Sequence, residues 1–239
     1  MWLFNSSIGR KVVMSVTGIC LILFLTFHMA MNAVALISAE GYNMVCELLG
    51  ANWYAVAATM GLAALAVIHI FYAFVLTMQN QKARGENKYA VTEKPSKVEW
   101  ASQNMLVLGI IVLVGLGLHL YNFWANMMLQ DLLPNGNTMN STDGVYWIEQ
   151  TFSQLGYVVA YIVWLGALWF HLTHGFWSAL QTLGWNGKTW FCRWKVISIA
   201  YTTLLCLGFA AVVVAAFFGL VDGGCCGDCC KEAAACCAQ

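Results

Sequence analysis

Residues 169–177 read Trp-Phe-His-Leu-Thr-His-Gly-Phe-Trp and place two histidines, His171 and His174, inside a long apolar segment. An ionisable side chain at membrane depth is costly, and it usually serves a function. The chain has only five histidines, and each of the other three lies in an apolar segment of its own: His28, His69 and His119. Four apolar segments therefore carry all the imidazoles.

The composition is that of an integral membrane protein. Of the 239 residues, 61% are hydrophobic and only 9% are charged, which is far from the balance of a soluble globular domain. The net charge is +0, so nothing indicates a nucleic-acid partner. Because backbone groups in hydrocarbon must bond internally, the apolar segments are predicted to be helices and the fold all-α.

Five apolar runs are long enough to cross about 30 Å of hydrocarbon, which takes roughly 20 helical residues. We place the predicted spans near residues 12–38, 53–79, 102–129, 154–183 and 195–221. Residues 1–221 are thus expected to form a five-helix transmembrane bundle. Residues 222–239 form a separate tail that holds six of the ten cysteines and is assigned no role, because disulfides, soft-metal binding and lipid attachment all fit such a cluster.

The basic residues predict the orientation of the bundle. Ten of the eleven Lys and Arg residues precede span one, join spans two and three, or join spans four and five. The positive-inside rule therefore puts the N-terminus inside and the C-terminus outside. The basic loop of residues 80–100 can dock a soluble partner, although the requirements of topology explain its charge equally well.

Counting residues to the nearest boundary charge assigns the histidines to two depths. His28 lies twelve residues before Glu40, and His119 lies twelve residues before Asp131. At about 1.5 Å per helical residue, both are expected at one level in the outer half of the membrane.

A second level is expected in the inner half. His69 lies thirteen residues before Lys82, and His174 lies fourteen residues before Lys188. His171 is three residues from His174 and shares its helix face, so either histidine can meet His69. His174 matches the depth better and is the preferred partner.

Two imidazoles that face each other from different helices can supply both axial ligands of a haem iron, and such a centre carries electrons. The alternative for each histidine alone is a buried ring bonded to a carbonyl or hydroxyl oxygen. Four histidines that pair by depth favour haem. A proton pathway would recruit buried carboxylates, and the central parts of the predicted spans contain none.

Several short motifs and single residues along the spans form a combination: Ser7-Ile8-Gly9-Arg10-Lys11, Met14, Thr17-Gly18, His28, Asn32, His69, His119, His174-Gly175-Phe176-Trp177-Ser178, Gln181 and Gly184. In this combination, over nearly the whole chain up to residue 221, the sequence resembles the dihaem cytochrome b membrane-anchor subunits of succinate:quinone oxidoreductases. These are the succinate dehydrogenases and fumarate reductases that have a single five-helix anchor.

The resemblance implies two haems b with histidine on both axial positions. The distal haem would take His28 and His119 as its iron ligands. The proximal haem would take His69 and His174, with His171 as the alternative ligand. Ser15 corresponds to a hydroxyl that the family places near the proximal haem.

The resemblance also implies a quinone, either menaquinone or ubiquinone, near the distal haem. Glu47 is the best match to the acidic residue that handles it and Glu40 is the second choice, although both are equally explained as solvated loop acids. Some relatives carry a buried glutamate two residues before the fourth-span ligand for proton transfer. Leu172 stands at that position here, so the resemblance does not extend to that pathway.

The implied partners are an iron-sulfur subunit on the basic inner face and, beyond it, an FAD flavoprotein that interconverts succinate and fumarate. The chain would then be a multi-pass protein of the bacterial cytoplasmic membrane, in contact with lipid and quinone. Two alternatives stay open, namely the dihaem anchor of another respiratory oxidoreductase such as a nitrate reductase, and a haem-free transporter or scaffold. Inverted repeats or a broken helix would favour transport.

Overall fold

The computed structural model describes residues 6–50, 52–83, 100–185 and 187–221, and these residues form helices, turns and bends but no strand. Five of the helices are long and apolar enough to cross a membrane: Ser7–Leu36, Trp53–Ala83, Met105–Trp124, Leu155–Thr182 and Lys188–Phe217. The predicted all-α protein with five spans is therefore confirmed. The cysteine-rich tail and most of the basic loop of residues 80–100 lie outside the described residues.

The helices are numbered here in chain order: α1 (Ser7–Ala33), α2 (Ala39–Leu48), α3 (Trp53–Ala83), α4 (Trp100–Gln103), α5 (Met105–His119), α6 (Met128–Leu132), α7 (Gly144–Phe152), α8 (Leu155–Thr182) and α9 (Lys188–Phe217). A 3-10 turn, Val34–Leu36, follows α1, and a π-helical turn, Leu120–Trp124, follows α5. The short helices α2 and α7 lie in the segments between spans.

Two spans begin earlier than the hydropathy predicts. The first begins at Ser7, because the Ser6 hydroxyl accepts a hydrogen bond of 2.9 Å from the Gly9 amide and caps the helix. The fifth begins at Lys188, so its first two turns contain the charged residues that the prediction left outside the membrane. Helix formation there needs only the backbone and a cap, whereas a hydropathy window detects only the apolar part.

The third span ends differently from the prediction. A continuous helix to residue 129 was expected, but the regular α-helix stops at His119 and the chain continues as the π-helical turn. The Ala125 amide donates to the Leu120 carbonyl oxygen at 2.8 Å, which is the five-residue spacing of a π turn. Such turns often occur at functional sites, and this one directly follows a histidine.

The fourth span ends at Thr182, next to the predicted end near residue 183, and Gly184 caps it. Gly184 has φ +92°, a left-handed conformation that glycine adopts readily. The Gly184 amide donates to Gln181 at 3.1 Å and the Trp185 amide to Leu180 at 3.0 Å. This pair of bonds is a Schellman motif and satisfies the last carbonyls of α8.

By its contacts the chain divides into two compact units: Met1–Phe27 with Ala57–Gly115 and Val163–Leu207, and His28–Val56 with Leu116–Ile162 and Gly208–Gln239. In the first unit, α5 and α8 meet at Gly115, where an added Cβ would lie 2.0 Å from Trp164 Cδ1. The Trp164 indole donates to the Val112 carbonyl oxygen at 3.0 Å. Gly115 is therefore the position that admits the Trp164 ring.

In the second unit, α2 and α7 pack closely. An added Cβ on Gly144 would lie 2.3 Å from Cys46 Sγ and 2.7 Å from the Tyr42 ring. Asp143 caps α7 by accepting from the Tyr146 amide at 3.0 Å and also accepts from Asn43 Nδ2 at 2.9 Å. These contacts fix the two short helices against each other.

Candidate functional site

The structure brings together two of the five histidines in the second unit. The ring centroids of His28, on α1, and His119, the last residue of α5, are 5.7 Å apart, and the ring planes make an angle of 82°. These are the two residues that the depth count predicts at one level. Their rings come from different spans, as a shared ligand would require.

Aromatic rings surround this histidine pair. The Phe209 ring centroid lies 5.7 Å from that of His28. On the other side, Phe123 lies 5.1 Å and Tyr161 6.2 Å from the His119 ring, between centroids. Phe123 belongs to the π-helical turn, so the irregular backbone after His119 supplies one wall of the site.

The spacing of the two rings fits one metal ion between them. Imidazoles on opposite sides of a metal, with bonds of about 2.0 Å, have ring centres roughly 6 Å apart. The described residues contain no group of three or more His, Cys, Asp or Glu side chains that could hold a metal ion.

A hydrogen-bonded chain that the sequence analysis did not predict leads from the loop helix α2 to His28. Tyr42 on α2 donates its hydroxyl proton to Asn32 Oδ1 at 3.0 Å, and Asn32 Nδ2 donates to the His28 carbonyl oxygen at 2.8 Å. The contact of Asn32 with His28 can be inferred from the sequence, because the two residues are four apart on one helix. The contact of Tyr42 with Asn32 cannot be inferred in this way, because it depends on the packing of α2 against the end of α1.

In the first unit, His69 on α3 approaches α1 closely. Its Nδ1 lies 3.2 Å from Thr17 Oγ1, and the ring also hydrogen-bonds the backbone of Met14. An added Cβ on Gly18 would lie 3.2 Å from His69 Cε1, tighter than ordinary contacts. Thr17 and Gly18 were noted in the sequence as part of a motif, and the structure shows that both face His69.

His171 on α8 lies close enough to His69 for the two rings to interact electrostatically. Its Nδ1 is fully buried and has no hydrogen-bond partner among the described residues. Its Cε1 would be 3.8 Å from a Cβ on Gly109, an ordinary contact with α5. A buried ring nitrogen without a partner is what a metal ligand would leave in a structure without the metal.

His174 lies one turn further along α8. Its ring stacks edge-on against Trp177, with 5.1 Å between centroids and 83° between planes. Lys195 Nζ lies 4.6 Å from the centre of the same Trp177 ring, which is a cation–π contact. An added Cβ on Gly175, the next residue, would meet nothing within 4 Å. Both histidines thus remain possible partners of His69.

The other predicted site residues lie on α1, α2 and α8. Ser15 is buried on α1 at 7% exposure, and Leu172 is buried on α8. Glu47 and Glu40 are both exposed on α2. Exposure suits an acid that meets a ligand from the membrane surface, and it suits a solvated loop acid equally.

Burial changes the acid–base character of two groups on α2. Desolvation raises the pKa of the Cys46 thiol to about 11, and it also raises the pKa of the Tyr42 hydroxyl. Both side chains therefore stay protonated near neutral pH. Tyr42 consequently remains a hydrogen-bond donor to Asn32.

No family model, curated protein or solved structure matches this chain.

Proposed function

We propose that this chain is the membrane-anchor and electron-transfer subunit of a succinate:quinone oxidoreductase, which passes electrons between an iron-sulfur subunit and membrane quinone. The observation that carries the proposal is the pair His28 and His119, whose rings face each other from two spans at 5.7 Å. In the first unit His171 interacts electrostatically with His69, and this contact supports a second centre of the same kind.

Each centre would be one haem b. His28 and His119 would hold the iron of the distal haem, and His69 with His174, or alternatively with His171, that of the proximal haem. A haem with histidine on both axial positions supplies a one-electron centre with no vacant coordination position for a substrate. The residues around each histidine decide how firmly its ring is held.

Aromatic side chains would exclude water from the distal pair. Phe123 and Phe209 cover the rings of His119 and His28, and Tyr42 with Asn32 anchors the backbone at His28. A dry surrounding lowers the local dielectric constant and thereby influences the redox potential of a bound metal.

The charge distribution supports the choice of partners. Basic residues lie at the ends of three spans in the first unit, at Arg10, Lys82 and Lys188, and Lys195 packs on Trp177 nearby. We assign this end to the inside of a bacterial cytoplasmic membrane, where an iron-sulfur subunit and an FAD flavoprotein would dock.

The quinone, menaquinone or ubiquinone, would be handled at α2, between the first and second spans. The exposed acids of α2 support this assignment, with Glu47 as the first candidate and Glu40 as the second. The carboxylate of either residue would exchange a proton with the quinone oxygen while electrons pass through the haem.

The test is purification of the complex from membranes, followed by reduced-minus-oxidised spectroscopy and haem quantification. We expect a low-spin spectrum with about two haems per chain, and co-purification of an iron-sulfur subunit and a flavoprotein. A chain without haem would overturn the proposal. A molybdenum subunit in place of the flavoprotein would leave the electron-transfer role intact and replace the partners with those of a nitrate reductase.

A further inference from the structure

Thr17 is a polar residue buried inside α1 at 5% exposure. Its Oγ1 lies 2.9 Å from the Val13 carbonyl oxygen, 3.0 Å from the Met14 carbonyl oxygen and 3.2 Å from Nδ1 of His69. A threonine hydroxyl has one proton and two lone pairs, so these three contacts cannot all be donations by Thr17.

The proton positions follow from what each neighbour can do. The Val13 and Met14 carbonyl oxygens only accept, and at 2.9 and 3.0 Å they lie closer to Thr17 Oγ1 than His69 Nδ1 does at 3.2 Å, so we assign the hydroxyl proton to one of them. The remaining contact is then donation from the Nδ1–H of His69 to the lone pair of Thr17. This contact puts the His69 proton on Nδ1.

A proton on Nδ1 leaves Nε2 with a free lone pair. This is the tautomer of a metal-binding histidine whose other nitrogen donates to a neighbouring group, an arrangement that orients the ring and makes it a stronger ligand. Gly18 contributes by its lack of a side chain, since a Cβ there would press on His69 Cε1 at 3.2 Å. The Thr17-Gly18 pair thus both admits the ring and fixes its proton.

We infer that Thr17 is a positioning residue for His69, which holds the Nδ1 proton and directs Nε2 to the iron of the proximal haem. This inference rests on the proposed function. Donation from Nδ1 to oxygen increases the electron density of the imidazole and favours the oxidised iron. Thr17 therefore lowers the midpoint potential of one of the two haems.

The experiment is a redox titration of the haems in the intact membrane complex. Thr17→Val removes the hydroxyl and keeps the branched shape of the side chain. We expect the potential of one haem to rise, that of the other to stay at the wild-type value, and the haem content to remain two per chain. Thr17→Ser should restore the wild-type potential, because it restores the oxygen atom.

A matched control is available on the same helix. Thr26 also donates to a backbone carbonyl, that of Ile22 at 2.8 Å, and its hydroxyl contacts the Tyr201 hydroxyl rather than a histidine. Thr26→Val should leave both potentials unchanged. A shift of equal size in Thr26→Val would mean that any lost hydroxyl in α1 has this effect, and it would overturn the specific role of Thr17.

The outcomes separate the inference from the proposed function. Absence of haem in the wild-type complex contradicts the proposed function, whereas two haems with unchanged potentials in Thr17→Val contradict only the inference. If Thr17→Val fails to assemble, the comparison of Thr17→Ala with Thr17→Ser decides, since these variants differ by one oxygen atom. A shift or loss of one haem in Thr17→Ala alone supports the inference, and equal behaviour of the two variants overturns it.

Discussion

His28 and His119 present their rings edge to face at 5.7 Å, although one belongs to the first span and the other to the third. The contact is made at the point where the third span changes from α-helix to a π-helical turn. Phe123, which belongs to that turn, lies against the His119 ring. The surroundings of the pair therefore include an irregular backbone segment.

If His28 and His119 both bind the iron of one haem, the loss of either histidine should remove that haem. We expect His28→Ala and His119→Ala to remove the same haem component from the reduced-minus-oxidised spectrum and to leave the other component in place. Redox titration of the remaining haem identifies it as the same species in both variants. Phe209→Leu, which changes the wall and not the ligand, is the control and should retain both haems. Loss of different components from the two histidine variants would contradict the pairing.

The two histidines of α8 are distinguished by the same spectra. We expect His174→Ala to remove the second haem component, because His174 matches the depth of His69 in the sequence and Trp177 holds its ring edge-on. His171→Ala should then retain that component. Two observations favour His171 instead. It interacts electrostatically with His69, and the Nδ1 of His171 has no hydrogen-bond partner among the described residues. Retention in His174→Ala with loss in His171→Ala would assign the ligand to His171.

The sequence predicts the five spans because lipid imposes a minimum length of apolar helix, and that length is visible in the composition of a run. The ends of the spans are less visible. Ser6 and Gly184 set two of them by hydrogen bonding and by a left-handed conformation, and hydropathy detects neither. The π-helical turn after His119 leaves no trace in hydropathy.

The candidate site is partly predictable for a similar reason. Depth counting groups His28 with His119 because the rise per helical residue converts a residue count directly to a distance along the helix axis. Rotation about the helix axis is not determined by such a count. For that reason the sequence leaves His171 and His174 as alternatives, and the contact of Tyr42 with Asn32 appears only once α2 is packed.

Close packing of α5 against α8 predicts a position-specific effect on stability. Gly115→Ala would place a Cβ 2.0 Å from Trp164 Cδ1, and Trp164 is held by its bond to Val112. Overpacking of this kind typically costs about 1–3 kcal/mol. We expect a lower thermal denaturation midpoint in detergent, measured by the loss of helical circular dichroism.

The control for this packing effect is on the same helix. An added Cβ on Gly117 meets nothing within 4 Å, so Gly117→Ala should denature at or above the wild-type temperature. Both substitutions raise the helix propensity of α5 equally, so the difference between them isolates the contact with Trp164. Equal midpoints for the two variants would show that the Trp164 ring can move aside.

Burial of Cys46 predicts a pH dependence of its reactivity. The thiolate is the nucleophile, and the pKa of Cys46 is raised from 9.0 to about 11 by burial against α7. At a pH well below both pKa values, a pKa rise of this size reduces the thiolate fraction about 100-fold relative to an ordinary thiol. We expect alkylation by iodoacetamide, followed by peptide-resolved mass spectrometry, to be slow at pH 8 and to accelerate up to about pH 11.

The denatured chain provides the reference for this measurement, since unfolding removes the burial and returns the thiol to its ordinary pKa. In denaturant, Cys46 should already react at pH 8 and its rate should reach half of its maximum near pH 9. A raised pKa in the folded state also means that the folded form holds its proton more firmly. The folded packing of α2 on α7 should therefore weaken as the pH rises above 9, because thiolate formation then favours the unfolded state. Equal alkylation rates for native and denatured protein at pH 8 would show that α2 does not bury Cys46.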